Sequence, residues 1–276
     1  MTDKDNNVGN ASNVIDFKAW ATQRSRRRHP SRWLTTAPQP DLDDHSPAAL
    51  WRADFEVHAD QHAQVTTSGM WVLAPVVERA LRESLPVFQL GEVGTGRHLL
   101  DTACGTVSEH HLQALRFFII ESQEHARLLA LICSELDIDM IDEHWTERAL
   151  RAARHHRGAR LELLTIVIAQ LISAEVYSML AEGVGDPTIS RIFARLHADE
   201  LRHLEFHSAT LPEHLEWSPR TTKVIHRAWT GIATLATIAV VWENRRLVSA
   251  CGRSHRSVFI DLRQAISAQG LRLFGS

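Results

Sequence analysis

Residues 199–203 read Asp199-Glu200-Leu201-Arg202-His203, within a segment whose apolar residues recur at helical spacing. Glu200 and His203 are three residues apart, so they lie side by side on one helix face. Ile189, Phe193, Leu196 and Leu204 fall on that same face. A carboxylate and an imidazole inside an apolar stripe are costly to bury without a partner. A metal ion suits this spacing best, and a structural ion pair is the competing reading. The chain around this segment must therefore supply other helices that surround a polar pair.

The rest of the sequence agrees with an all-α chain. It has no alternating β-branched runs and no Asn-Gly hairpin signal. Residues 1–46 are rich in Asn, Asp, Arg, Pro and Ser without sustained periodicity, and read as a disordered basic and polar tail. Residues 47–276 read as one helical domain. The expected helices run from about Ser46 to His62, Ser68 to Leu85, Pro86 to Ala103, Val107 to Leu136 and Gly158 to Glu182. A short helix is expected near Asp142 to Ala153. Gly183 to Pro187 combines a C-cap glycine, an Asp N-cap and a first-turn proline, so a new helix starts there and runs to Leu211. Ser218-Pro219 starts another to about Ala250, and a last one covers about Ser254 to Ala268.

Composition excludes some partners and a compartment. A formal charge of −3 gives no support for binding nucleic acid. Cys104, Cys133 and Cys251 form no CxxC pair and read as free thiols in a reducing compartment. The N-terminus lacks the apolar core of a signal peptide. The longest apolar stretch, Ala228 to Trp242, is short of the roughly 20 residues that span a bilayer, and reads as a buried bundle helix. The expectation is a cytoplasmic protein without a membrane partner.

Other charged residues interrupt apolar stripes as Glu200 and His203 do. Glu175 shares a face with Leu164, Ile168, Leu171, Ile172 and Met179. Acids are rarely buried unpaired. His125 shares a face with Phe117, Phe118, Glu121, Leu128 and Ile132. Glu92 follows Phe88 and Leu90, and hairpin arithmetic places it level with Glu121, ahead of Glu78 and Glu83. Glu92 and Glu121 could equally pair with an arginine. His197 and His207 fall on the Glu200 face and suit outer or structural positions beside a metal, as do Asp199 and Ser122. Tyr177 points away from Glu175, which gives little support to a stored tyrosyl radical. Phe117, Phe118, Leu128, Leu171, Ile172 and Met179 would wall an apolar pocket.

These residues carry a resemblance to the ferritin-like superfamily of di-metal carboxylate proteins, over about residues 65–250. Phe88 to Glu92, Glu121 to Leu129 and Asp199 to His203 are similar to a bacterial group of ferritin-like domain proteins. The D-E-x-R-H unit also resembles that of acyl-carrier-protein desaturases and di-iron arylamine N-oxygenases. The resemblance implies a ferritin-like four-helix bundle with additional helices at both ends. It implies Glu92, His125, Glu175, Glu200 and His203 as metal ligands. The family spacing places a further glutamate at Ser122; Glu121 or water could complete the site, or the site could be lost. The implied cofactor is two iron ions or an Mn/Fe pair, with O2 as co-substrate. The implied activity is an oxidoreductase that hydroxylates, N-oxygenates or desaturates a small organic substrate, served by an electron-donor protein and compatible with a homodimer. A ferroxidase or iron store, and a scaffold with a degenerate site, are the alternatives.

Overall fold

Caps and prolines set where the helices begin. Ser46 accepts a hydrogen bond from the Ala49 amide ahead of Pro47. Ser108 does the same for His111, Ser218 for Thr221 and Ser254 for Ser257. Asp186 accepts from both Thr188 and Ile189, at 2.9 and 3.1 Å, and Pro187 occupies the first helical position. Each cap satisfies amides that have no partner inside the helix.

The computed structural model describes residues 46–59, 71–94, 96–145, 148, 158–215 and 217–275. They contain nine α-helices and no strand. These are α1 (Pro47–His58), α2 (Pro75–Glu92), α3 (Arg97–Ala103), α4 (Glu109–Glu135), α5 (Gly158–Gly183), α6 (Pro187–Thr210), α7 (Pro219–Glu243), α8 (Arg245–Ala250) and α9 (His255–Phe274). A 3-10 turn, Pro212–His214, follows α6. The expected tail and most of the expected short helix near 142–153 lie outside the described residues, as do residues 60–70.

Four helices make the bundle. α2 packs on α4, α5 packs on α6, and α4 meets α6 across the centre. α1 lies over α4 and α6, while α3 closes one end against α4 and α5. α7 packs on α9 and α5, and the Trp229 indole donates to the Leu164 carbonyl at 2.9 Å. The apolar residues of α2, α4, α5 and α6 form one continuous core.

The structure corrects several expected boundaries. Pro86 starts no helix; it is buried inside α2. The packing of α2 along α4 outweighs the roughly 3 kcal/mol that an interior proline costs. The break falls instead after Glu92, and Gly96 opens α3 with φ +62°. An added Cβ at Gly96 would overlap Ile119, so close approach as well as φ requires glycine there. The long helix expected from 218 to 250 divides at Asn244, and α9 runs on to Phe274.

The expectation of a buried helix over 228–242 also fails. α5 and α7 are both long and apolar enough to cross a membrane, but 67% of the apolar window of α5 is buried and only 22% of that of α7. α7 buries Trp229, Ala233, Thr237 and Val241, a single row at four-residue steps. Ile225, Ala236 and Val240 are half-buried against the core, whereas Val224, Ile232, Leu235, Ile238 and Trp242 are exposed among the described residues.

Candidate metal centre

Four bundle helices aim polar side chains at one point in the core. α2 brings Glu92 at its C-terminal end, α4 brings His125, and α6 brings Glu200 and His203. Ligating atoms of Glu92, His125 and Glu200 all lie within 4.8 Å of one another. His125, Glu200 and His203 are buried. Glu200 Oε1 lies 3.4 Å from His125 Nδ1, and its Oε2 lies 3.6 Å from His203 Nδ1. Each oxygen of Glu200 therefore faces a different imidazole.

The far side of each imidazole is held by a different acid. His203 Nε2 lies 2.8 Å from Glu121 Oε2. His125 Nε2 lies 3.4 Å from Asp199 Oδ2. These acids are fixed in turn by arginines. Arg195 donates to both oxygens of Asp199, at 3.1 and 3.0 Å. Arg202 donates to Glu121 and Asp199 and pairs with Asp54 at 3.3 Å. A carboxylate on one ring nitrogen fixes the tautomer and turns the other nitrogen toward the centre. The inward atoms, Nδ1 of His125, Nδ1 of His203 and Oε2 of Glu200, are buried without a hydrogen bond. Buried polar atoms that converge without partners fit a metal ion, and the mixed nitrogen and oxygen donors suit iron or manganese.

Electrostatics show the same arrangement. Burial works against charge on His125, yet Asp199 and Glu200 raise its pKa well above the usual value. Burial likewise opposes charge on His203, and Glu121 and Glu200 outweigh it. Glu200 is lowered because both imidazoles overcome its burial. Glu92 is pushed up to about 7 by burial and then by Glu200. A fifth group joins from α5: the Tyr177 hydroxyl donates to Glu92 Oε1 at 3.1 Å. Burial, with Glu92 and Glu200 behind it, raises that phenol well above its usual pKa and keeps it a neutral donor.

Several sequence candidates are placed elsewhere. Glu175 stands apart from this group; its carboxylate lies 3.5 Å from Arg253, and Asp261 and Glu182 are its other charged neighbours. α5 presents Ser173 and Tyr177 to the centre instead. Glu121 reaches the group, but on the outer nitrogen of His203 rather than among the converging atoms. His197 is occupied by the Ala174 carbonyl at 2.8 Å and ties α6 to α5. His207 is buried against Phe118 and Phe206, and burial drives its pKa well down. Tyr177, read from the sequence as turned away from Glu175, meets Glu92 because the centre lies on the opposite side of α5 from Glu175. Ser173 escaped the sequence reading, although Gln170, Ser173 and Tyr177 form a polar row at helical spacing.

A cavity of about 910 Å³ opens beside the centre. Glu92, Glu200, Ser122, Ser173 and Gln170 are among its polar lining residues, with Glu162, Thr165, Glu243 and Asn244. Its walls are apolar, with Phe88, Leu99, Phe118, Ile119, Ile168 and Ile172 among them, and one wall comes from α7. Phe118 and Ile172 line this cavity. Phe117, Leu128, Leu171 and Met179 are packed into the core and do not line it.

Fold and site together define the class, a ferritin-like helical bundle with a candidate metal site of carboxylates and imidazoles on its central helices. Among solved structures the chain is similar to R2-like ligand-binding oxidases. One, a mutant with an anaerobically reconstituted Mn/Fe cofactor, superposes with a TM-score of 0.68 at 11% identity, over 84% of this chain and 95% of that one. A second mutant of that description gives a TM-score of 0.62 at 15% identity, over 84% and 94%. No family model and no curated protein matches the sequence.

Proposed function

We propose that the chain is a metal-dependent, O2-using oxidase that acts on an apolar organic molecule held in the cavity beside the centre. One observation carries this reading. The two oxygens of Glu200 face the inward nitrogens of two different imidazoles, and Glu200 with Glu92 also lines an apolar chamber. Glu92, His125, Glu200 and His203 would hold the metal, as an iron pair or a manganese-iron pair. Such a centre supplies the redox chemistry by which dioxygen is reduced. The Mn/Fe cofactor of the structurally similar oxidases supports the choice of metals.

The chain's own residues do the rest. Asp199 and Glu121 hold His125 and His203 in the orientation that keeps both Nδ1 atoms inward. Tyr177 donates to Glu92 and fixes its carboxyl group. Phe118, Ile119 and Ile172 exclude water and present an apolar surface to the substrate. Ser122 and Ser173 line the cavity and offer hydroxyls to a ligand's polar group.

The test is anaerobic loading with ferrous and manganous ions, metal analysis per chain, and then exposure to O2. Wild type is expected to retain metal that Glu200→Ala and His203→Ala lose, and to give an oxidised centre that persists. Equal metal in all three proteins would overturn the site. Sustained oxidation of excess iron into a protein-bound mineral would replace the oxidase reading with storage.

A further inference from the structure

The cavity beside the centre is lined by one amide that no described residue answers. Gln170, on α5, is 5% exposed, and both its Oε1 and its Nε2 are buried without a hydrogen-bond partner. Among the described lining residues only Glu200, which faces the two imidazoles, also has such an atom. A buried amide is costly to leave unpaired, so a group that enters and pairs with it is favoured. Ser173 is the next polar position along α5, and Tyr177, which meets Glu92, is the one after. At about 1.5 Å per residue, Gln170 stands roughly 10 Å along the helix from Tyr177. A polar group held at Gln170 leaves the rest of a ligand to run past Ser173 toward the centre.

Charge limits what that ligand is. No arginine, lysine or histidine lines the cavity among the described residues, whereas Glu92, Glu162, Glu200 and Glu243 do. Nothing but the metals themselves would offset the burial of an anion there. Each of these carboxylates is already engaged, so a cation meets no spare one. Glu162 lies 2.8 Å from His98 Nδ1. Glu243 accepts from the Trp145 indole at 3.1 Å and lies 3.0 Å from His144 Nε2. Glu92 accepts from Tyr177, and Glu200 faces two imidazoles. What Gln170 adds is a neutral donor and a neutral acceptor on one planar group. A carboxamide presents the same pair in reverse, an N–H beside a carbonyl oxygen. A carboxylate has only acceptors and an ammonium only donors, so each leaves half of Gln170 unpaired.

We propose that the cavity takes an uncharged carboxamide with an apolar tail, its amide paired to both polar atoms of Gln170. The tail lies along the apolar walls, and the tail rather than the amide reaches the metals. The fate of the tail rests on the oxidase reading above; recognition of the amide does not. At about 910 Å³ the cavity stands near the upper end of the roughly 300–1,000 Å³ usual for small-molecule sites, so it accommodates a long tail.

Calorimetric titration of the full, metal-loaded chain under anaerobic conditions tests this, with octanamide, methyl octanoate, octanoate and octylamine as probes. Methyl octanoate keeps the carbonyl and lacks the N–H groups. Wild type is expected to bind octanamide at least about tenfold more tightly than each of the other three, because each leaves a buried atom of Gln170 unpaired. Gln170→Leu is expected to lose the preference for octanamide over the ester and to keep its melting temperature and metal content. The probe comparison on wild type decides the matter even where the variant fails to fold. No octanamide binding, equal binding of octanamide and methyl octanoate, tighter binding of octanoate or octylamine, or a preference that survives Gln170→Leu overturns the proposal. Metal retention and reaction with O2 are separate readouts. An intact metal centre without the amide preference refutes the carboxamide alone, and the amide preference in a chain that retains no metal refutes the oxidase alone.

Discussion

Replacing Glu121 with alanine separates holding an imidazole from holding a metal. Its Oε2 lies 2.8 Å from His203 Nε2, on the side of the ring that faces away from Glu200. The substitution leaves all four converging groups in place but frees His203 to rotate and lowers its basicity as a ligand. Outer carboxylates of this kind contribute about 10- to 100-fold to metal affinity, which is roughly 1.4 to 2.8 kcal/mol. Arg202 loses one acceptor but keeps Asp54 at 3.3 Å and Asp199 at 3.4 Å, so no buried guanidinium is stranded. The expected result is a folded protein whose Mn(II) affinity falls within that range, whereas His203→Ala loses binding outright. Anaerobic titration against a competing chelator measures it, with thermal melts to confirm folding. A loss in Glu121→Ala as complete as in His203→Ala would make Glu121 a ligand and refute the argument. A change smaller than about threefold would show that the 2.8 Å contact does not orient the ring.

Gly96→Ala is expected to destabilise the fold by roughly 1–2 kcal/mol for the left-handed conformation alone, with displacement of Ile119 added to it. Gly94→Ala, with nothing within 4 Å of an added Cβ, is the control for a urea-melt comparison, and equal stability of the two variants would count against the strained junction. His111 is buried beside His214, and burial and then that neighbour lower its pKa from 6.5 to about 4. Between those values the unfolded chain binds the proton and the folded chain does not, so this stability is fully present above pH 6.5 and lost as pH falls toward 4. At about 1.36 kcal/mol per unit, the stability advantage of wild type over His111→Gln should shrink by up to about 3 kcal/mol between pH 7 and pH 4. Parallel denaturation curves at the two pH values would refute it.

What the sequence determined is local. The Asp186 cap, the helix start at Ser218-Pro219 and the break at 183–187 follow from side chains and amides within a few residues of each other, and they appear where expected. The 199–203 run places Glu200 and His203 on one face by helix geometry alone, and the structure turns that face inward. Asp199 and Arg202 belong to the same run, yet their partners, His125 and Glu121, come from α4.

What the tertiary structure decided is which faces meet. α5 is apolar on almost every side, so no stripe in its sequence marks the face turned to the centre. Packing against α6 gives that face to Ser173 and Tyr177 and sends Glu175 toward Arg253. Glu121 and His125 are neighbours on one helix turn, but only the rotation of α4 against α6 sets Glu121 on the outer nitrogen of His203. The apolar sequence of α7 reads the same whether its outer face is covered or bare, because hydrophobicity states that a side chain avoids water and not what will cover it. α9 and α5 cover one row, and the other row stays exposed among the described residues.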